Sequence, residues 1–159
     1  MMRTPLTSNG FDRLKEELHV LKTQERPAVI QAIAEARAHG DLSENAEYDA
    51  AKEKQSMLEG RIQDLENKIS TAEVINPTEL QKDGRVVFGV IVTFIDLNTD
   101  EQFKYQIVGE DEANIREGKI SYVSPIARAL IGKIKEDITE FDIPSGKREV
   151  QIIKVEYEV

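Results

Sequence analysis

The sequence predicts an α+β protein of two domains, an N-terminal antiparallel coiled-coil hairpin and a C-terminal small antiparallel-sheet domain with a short helix. Three observations carry this. Two segments hold a seam that steps by alternating threes and fours, the a/d pattern of a coiled coil. The first is Phe11, Leu14, Leu18, Leu21, Glu25, Ala28, Ala32 and the second Ala51, Gln55, Leu58, Ile62, Leu65, Ile69, Ala72. Facing members such as Leu14 with Ile69, or Ala32 with Ala51, have residue numbers that add to 83, so the segments run antiparallel about a fold point between Asp41 and Leu42. Beyond Asn76-Pro77 the apolar period changes to two, in runs rich in β-branched and aromatic residues, which marks strands. The domains are therefore drawn at 1–76 and 77–159.

Thr7-Ser8-Asn9-Gly10 supplies N-cap candidates ahead of Phe11. Pro27 lacks an amide hydrogen and crowds the preceding turn, which predicts a kink or short break over 24–27. Ile30 and Ile33 lie beside the Ala28/Ala32 line, so the stripe shifts after the proline. The first helix stops at Gly40; the second starts around Ser43 and ends near Thr71. Seam residues are large at the base and alanines near the turn, which makes the distal part slim.

Lys82-Asp83-Gly84 is a turn, Arg85–Ile95 a long strand, Asn98-Thr99-Asp100 a hairpin turn and Gln102–Val108 its antiparallel partner. Gly109–Gly118 reads as polar loop with at most one helical turn, and Ile120–Val123 as a short strand. Ser124 then caps a short helix with Pro125 in its first position. Its inner face holds Ile126, Ala127, Leu130 and Ile131, and Gly132 closes it. Ile138–Ile143 and Glu149–Tyr157 are the last strands.

Composition narrows the function. Without Cys there are no disulfides and no thiolate metal sites, which is compatible with a reducing cytoplasm. The first ten residues have no signal-peptide core, and no run is long enough to span a bilayer. The net charge of −9 is spread over both parts, 10 basic and 14 acidic residues up to 76 and 11 and 16 after it. Such a balance excludes bulk electrostatic binding to duplex DNA. His19 and His39 lack metal-ligand spacing, and no nucleophile elbow or Gly-rich phosphate loop is present. The chain shows no self-contained catalytic apparatus.

What remains is concentrated at the turn. Asp41 and Glu44, three apart at a helix start, place two carboxylates within reach of one spot, and hard cations such as Mg²⁺ take oxygen ligands. The same spacing is that of a capping box, so a purely structural role stands beside the metal-binding one. Arg37, Lys52 and Lys54 form a small cationic patch for a phosphate backbone, or ordinary helix-surface charge. Tyr48 faces Glu35 across the seam as a packing residue or a tip contact. Ser124-Pro125 is either a rigid docking knob or the start of a plain structural helix.

Two stretches resemble a known family. Gly40-Asp41-Leu42-Ser43-Glu44-Asn45-Ala46-Glu47-Tyr48, followed by Ala50-Ala51-Lys52-Glu53, is similar to the tip of the bacterial Gre-type transcript cleavage factors. Ile120-Ser121 through Ser124-Pro125-Ile126-Ala127-Arg128 to Gly132-Lys133 resembles their C-terminal signature. The likeness runs from about Leu6 to Tyr157, and Leu42 with the Ala-rich segment after Tyr48 is nearer the less basic branch of the family. The resemblance implies an FKBP-like C-terminal domain that docks, through Ser124 and Pro125, on a coiled coil of the largest subunit of RNA polymerase. It implies an arm that enters the secondary channel and brings Asp41 and Glu44 to the polymerase active centre, to hold Mg²⁺ jointly with the polymerase. Arg37 and Lys52 would contact the 3′ segment of the nascent RNA. On this reading the protein is a cytoplasmic, bacterial, monomeric elongation factor and not an enzyme; it stimulates RNA cleavage by the polymerase in backtracked complexes. A channel-blocking inhibitor of the same fold and a non-catalytic coiled-coil adaptor are the alternatives.

Overall fold

A computed structural model describes residues 3–40 and 45–157. They divide into a helical unit, Phe11–Ala72, and a sheet unit made of Arg3–Gly10 together with the chain from Glu73 onward. The boundary expected at 76/77 is thereby corrected: the break falls between Ala72 and Glu73, and the first residues belong with the sheet.

The helical elements are α1 (Ser8–Val20), a five-residue π-turn (Leu21–Glu25), α2 (Arg26–Arg37) and α3 (Ala46–Ser70). Along α3 the expected seam is observed, with Ala51, Ile62 and Leu65 buried and Gln55, Leu58 and Ile69 half-buried. Burying Ile62 and Leu65 contributes on the order of 1.5–3 kcal/mol each. The first strand of the seam holds through Leu14, Leu18 and Leu21 and then steps by one residue. Val29 and Ala36 are buried and Ile33 is half-buried, while Ala28 and Ala32, expected on the seam, are exposed.

The π-turn is the cause. Its ladder closes from the Arg26 N–H to the Leu21 carbonyl, five residues back instead of four, so one extra residue is absorbed in a single turn. Pro27 lies at the start of α2, where its missing N–H is not needed. In an uninterrupted α-helix its ring would crowd the Thr23 carbonyl.

Ion pairs cross the two helical segments. The Arg61 guanidinium donates to Glu17 at 2.7 and 2.8 Å, Arg26 donates to Glu59 at 2.9 and 2.8 Å, and Lys22 lies 2.9 Å from Glu66. Their residue numbers add to 78, 85 and 88, bracketing the 83 of the seam. The guanidinium hydrogen bonds hold the Glu17 and Glu59 carboxyls below the usual carboxylate range. These side chains are more than a third exposed, so the pairs set register more than they add stability.

The sheet unit opens with β1 (Thr4–Thr7), a strand that its short length hid from the sequence, paired with β2 (Ala72–Ile75). Glu112 anchors it: the carboxylate accepts the Thr7 N–H and the Gly109 N–H at 3.0 Å each, and the Thr7 hydroxyl as well. Gly10 sits so close that a Cβ there would lie 2.1 Å from Glu112 Oε1.

The main sheet has five strands, β3 (Ile91–Asp96), β4 (Gln102–Val108), β5 (Lys119–Ser121), β6 (Ile138–Ile143) and β7 (Gly146–Glu156), in the order β5-β4-β3-β7-β6. All pairings are antiparallel except β4 with β5, which is parallel with Ile107 opposite Ile120. A parallel neighbour needs a crossover. Residues 109–118 provide it through two short 3₁₀ turns, Glu110–Glu112 and Ile115–Glu117, where one turn at most was expected.

The strand expected over 85–95 is cut short. Gly89 takes φ +94°, the Val90 N–H bonds back to the Val87 carbonyl, and the strand starts at Ile91. The helix α4 (Pro125–Leu130) packs on β6 with Ala127 and Leu130 buried. Ile131, expected on its inner face, is 37% exposed because the chain leaves the helix there with ψ 131°. Val86, Val90, Val92, Phe94, Ile107, Leu130, Val150 and Ile152 are enclosed almost completely. Among the described residues no helix is long and apolar enough to cross a membrane.

Candidate functional site

The turn of the hairpin is built from the ends of α2 and α3. Helix α2 runs out through bonds from the Ala38 N–H to the Ala34 carbonyl at 3.2 Å and from the Gly40 N–H to the Arg37 carbonyl at 3.0 Å. Gly40 then adopts φ +87°, the left-handed conformation that ends helices and that a side chain disfavours. Asp41 and Glu44, the two carboxylates singled out from the sequence, lie outside the described residues.

Helix α3 begins at Ala46, three residues later than expected, with Asn45 as its N-cap: Asn45 Oδ1 accepts the Tyr48 N–H at 3.0 Å. The other end of the same side chain crosses the hairpin, Nδ2 donating to the Ala36 carbonyl at 2.6 Å. The cap of α3 is thus supplied by an amide. Sequence reasoning passed over Asn45; its signal was an Asn directly before a run of helix formers.

Around this point Arg37 places its guanidinium carbon 5.9 Å from the centre of the Tyr48 ring, a cation–π contact between the helices. Tyr48 is half-buried beneath it and so packs on the seam side. Lys52 lies one turn along α3 from Tyr48, on the same face, and donates to Gln55 Oε1 at 3.2 Å. Arg37 and Lys52 therefore belong to one side of the hairpin, whereas Lys54, two residues on, is turned to another side. His39 Nδ1 is 3.4 Å from Glu47 Oε2, a pair open to solvent. Among the described residues no three His, Cys, Asp or Glu side chains come together as a metal site.

The second candidate region is in the sheet unit. Ser124 Oγ accepts the Ala127 N–H at 3.3 Å and donates to the Ser121 carbonyl at 2.7 Å, which fixes the start of α4 and leaves Pro125 exposed. Beside them is an open groove of about 460 Å³, lined by Ile115, Ile120, Pro125, Ile126, Phe141 and Ile143 among others. The sequence marked Ser124 and Pro125 but did not bring Ile115 to them. That isoleucine, 59% exposed in a polar stretch, was the available signal.

A smaller hollow of about 180 Å³ lies under Phe94, Phe103, Tyr105 and Phe141. At its end Asp96, only 2% exposed, accepts from Arg148 Nη1 at 2.5 Å and from the Asn98 and Thr99 N–H groups at 2.8 and 3.2 Å. The Arg148 hydrogen bond, followed by that of Asn98, holds its carboxyl below the ordinary value. Every contact of Asp96 serves the β3–β4 turn or ties β7 to it, which is a structural role.

Comparison with known proteins matches both halves of the chain. The family described as "Transcription elongation factor, N-terminal" matches residues 4–74, and "Transcription elongation factor, GreA/GreB, C-term" matches residues 81–157. Transcription elongation factor GreA of Neisseria meningitidis serogroup A is 59% identical over 157 residues, covering 99% of both chains. The protein of the same name from Alkalilimnicola ehrlichii is 54% identical, again over 99% of both. A solved structure of GreA factor homolog 1 from Thermus thermophilus is 28% identical, covers 96% of this chain and 98% of that one, and gives a TM-score of 0.43.

Proposed function

The chain belongs to the GreA/GreB family of transcription elongation factors, and from that membership we propose that it stimulates the RNA polymerase's own cleavage of the RNA 3′ segment in backtracked complexes. The observation that carries this reading is the helical hairpin whose turn bears Gly40-Asp41-Leu42-Ser43-Glu44-Asn45-Ala46-Glu47-Tyr48. A two-helix arm would enter the polymerase secondary channel turn first, so what it displays there would arrive first.

Asp41 and Glu44 would present carboxylate oxygens at the polymerase active centre. Oxygen donors suit a hard divalent cation such as Mg²⁺, and two carboxylates make an incomplete shell that polymerase groups would complete. With Asn45 serving as the N-cap, the start of α3 has its capping acceptor without them. A metal ion held there would activate the attacking water and steady the charge on the phosphate. Arg37 and Lys52, on one side of the hairpin, would hold the phosphates of the extruded RNA; a net charge of −9 makes such contact local. Ser124 and Pro125 would dock on the coiled coil of the largest subunit, with the apolar groove beside them taking its side chains. The protein would act as a monomer in the bacterial cytoplasm and bind metal hardly at all when free.

The test uses stalled, backtracked polymerase with Mg²⁺ and reads the length of the RNA 3′ ends. Shortened RNA above the polymerase's own rate is expected with the unsubstituted protein. Asp41→Ala and Glu44→Ala are expected to abolish the stimulation while still competing for the polymerase. Inhibition of synthesis without any cleavage would instead identify a channel-blocking factor.

A further inference from the structure

The side chain of Asn45 does more than cap a helix. Capping needs only an acceptor, which Oδ1 supplies to the Tyr48 N–H at 3.0 Å. The amide donor is surplus to that role, and it reaches nine residues back to the Ala36 carbonyl at 2.6 Å. Ala36 is buried and Asn45 half-buried, so the bond is partly shielded from water and cannot be exchanged for one to solvent without loss. Through these two bonds one side chain joins the last turn of α2 to the first turn of α3. It ties the Ala36 carbonyl of α2 to the first turn of α3, so the two helix ends are held together at this point.

We propose that Asn45 is a positioning residue for transcript cleavage: by clamping the ends of α2 and α3, it holds in one relation the two helix ends that flank the turn of the hairpin. This rests on the function proposed above. Because a displacement of about 1 Å at a reacting centre costs on the order of a hundredfold in rate, the clamp belongs to the chemistry even though it touches neither metal nor RNA.

Asn45→Ser separates the two bonds. Serine caps a helix as well as asparagine does, but its hydroxyl cannot span to Ala36 while serving Tyr48. Asn45→Ala removes both bonds. Cleavage of backtracked RNA is measured at saturating factor, across a Mg²⁺ titration, alongside competition with the unsubstituted protein for the polymerase and circular dichroism for helix content. The expected result is roughly a tenfold fall in the saturating cleavage rate for Asn45→Ser, a raised Mg²⁺ requirement, unchanged competition and unchanged helicity. If Asn45→Ser cleaves like the unsubstituted protein and only Asn45→Ala is impaired, the residue is a helix cap and the proposal is overturned. It is also overturned if both variants lose affinity for the polymerase instead of rate. Failure of the unsubstituted protein to stimulate cleavage is read in the same experiment, and it would sink the proposed function itself and this inference with it.

Discussion

The helical unit and the sheet unit bury their apolar residues in different ways. Along the hairpin, buried side chains stand in single file, Leu14, Val29 and Ala36 on the outgoing helices and Ala51, Ile62 and Leu65 on α3. In the sheet unit Phe94, Val92, Ile107, Leu130, Val150 and Ile152 form one enclosed cluster. A file can be opened one turn at a time, whereas a cluster must be opened whole. The hairpin is therefore the part with graded, local stability, and it trades a deep core for a narrow cross-section. The sheet is the part that holds or fails as a unit.

Phe94→Ala gives the largest break in this comparison. Phe94 is 1% exposed and packs on Phe103 and Tyr105, so its removal is expected to cost about 3–5 kcal/mol. Urea unfolding followed by tyrosine near-ultraviolet signal reads it, and a loss under 1 kcal/mol would mean that the cluster is not cooperative. Leu65→Ala, at the fully buried point of the file, is expected to cost about 2–4 kcal/mol, read in helix content at 222 nm with the sheet transition left in place. A single transition that shifts for both variants would erase the distinction between the units.

A third variant sharpens the account of the file itself. Deleting Gln24 together with Pro27→Ala removes both the extra residue and the reason for it. The expected product is an uninterrupted helix with Val29, Ile33 and Ala36 still on the seam, and stability unchanged within about 1 kcal/mol. Deleting Glu53 from α3, where no π-turn absorbs it, should be far more damaging because every later seam residue turns away from its partner.

The smallest effects are electrostatic. Asp96 has a folded carboxyl value depressed chiefly by Arg148, so its stabilisation is complete above the unfolded value of about 3.9 and is lost as pH falls through the lower folded value. Melting of the sheet unit should show that acid limb, and Asp96→Asn should lack it. Glu17 and Glu59 in the hairpin shift in the same direction, so acid weakens both units. Salt separates them by degree: 1 M salt, with a Debye length of about 3 Å, should weaken the hairpin pairs, in which both partners are exposed, more than the Asp96–Arg148 pair, whose carboxylate is buried.

The hairpin was legible because a seam with a constant pairing sum leaves few alternatives, and strands such as Gln102–Val108 and Ile138–Ile143 were legible because their period is unbroken. What escaped depended on contacts distant in sequence. The four residues of β1 are too few to show a period, and their anchor, Glu112, is 105 residues away. Gly89 was read as a residue inside a strand because nothing local announced its positive φ. At the candidate site the types and spacing of Asp41, Glu44, Arg37 and Lys52 were readable as chemistry. The second bond of Asn45 was not, since it depends on which carbonyl the returning helix happens to meet.

The π-turn has one more consequence. An added residue in a plain helix would swing everything beyond it by about 100°, changing which face the distal part shows. Here the addition is taken up inside one wide turn, much as a leap day lets the calendar run on without moving the seasons. The chain length between the base of the arm and its turn can thus differ by one residue while the heading of Arg37 stays the same. Of all positions along the first helix, Leu21–Glu25 is where the deletion of one residue would leave the arm pointing as before.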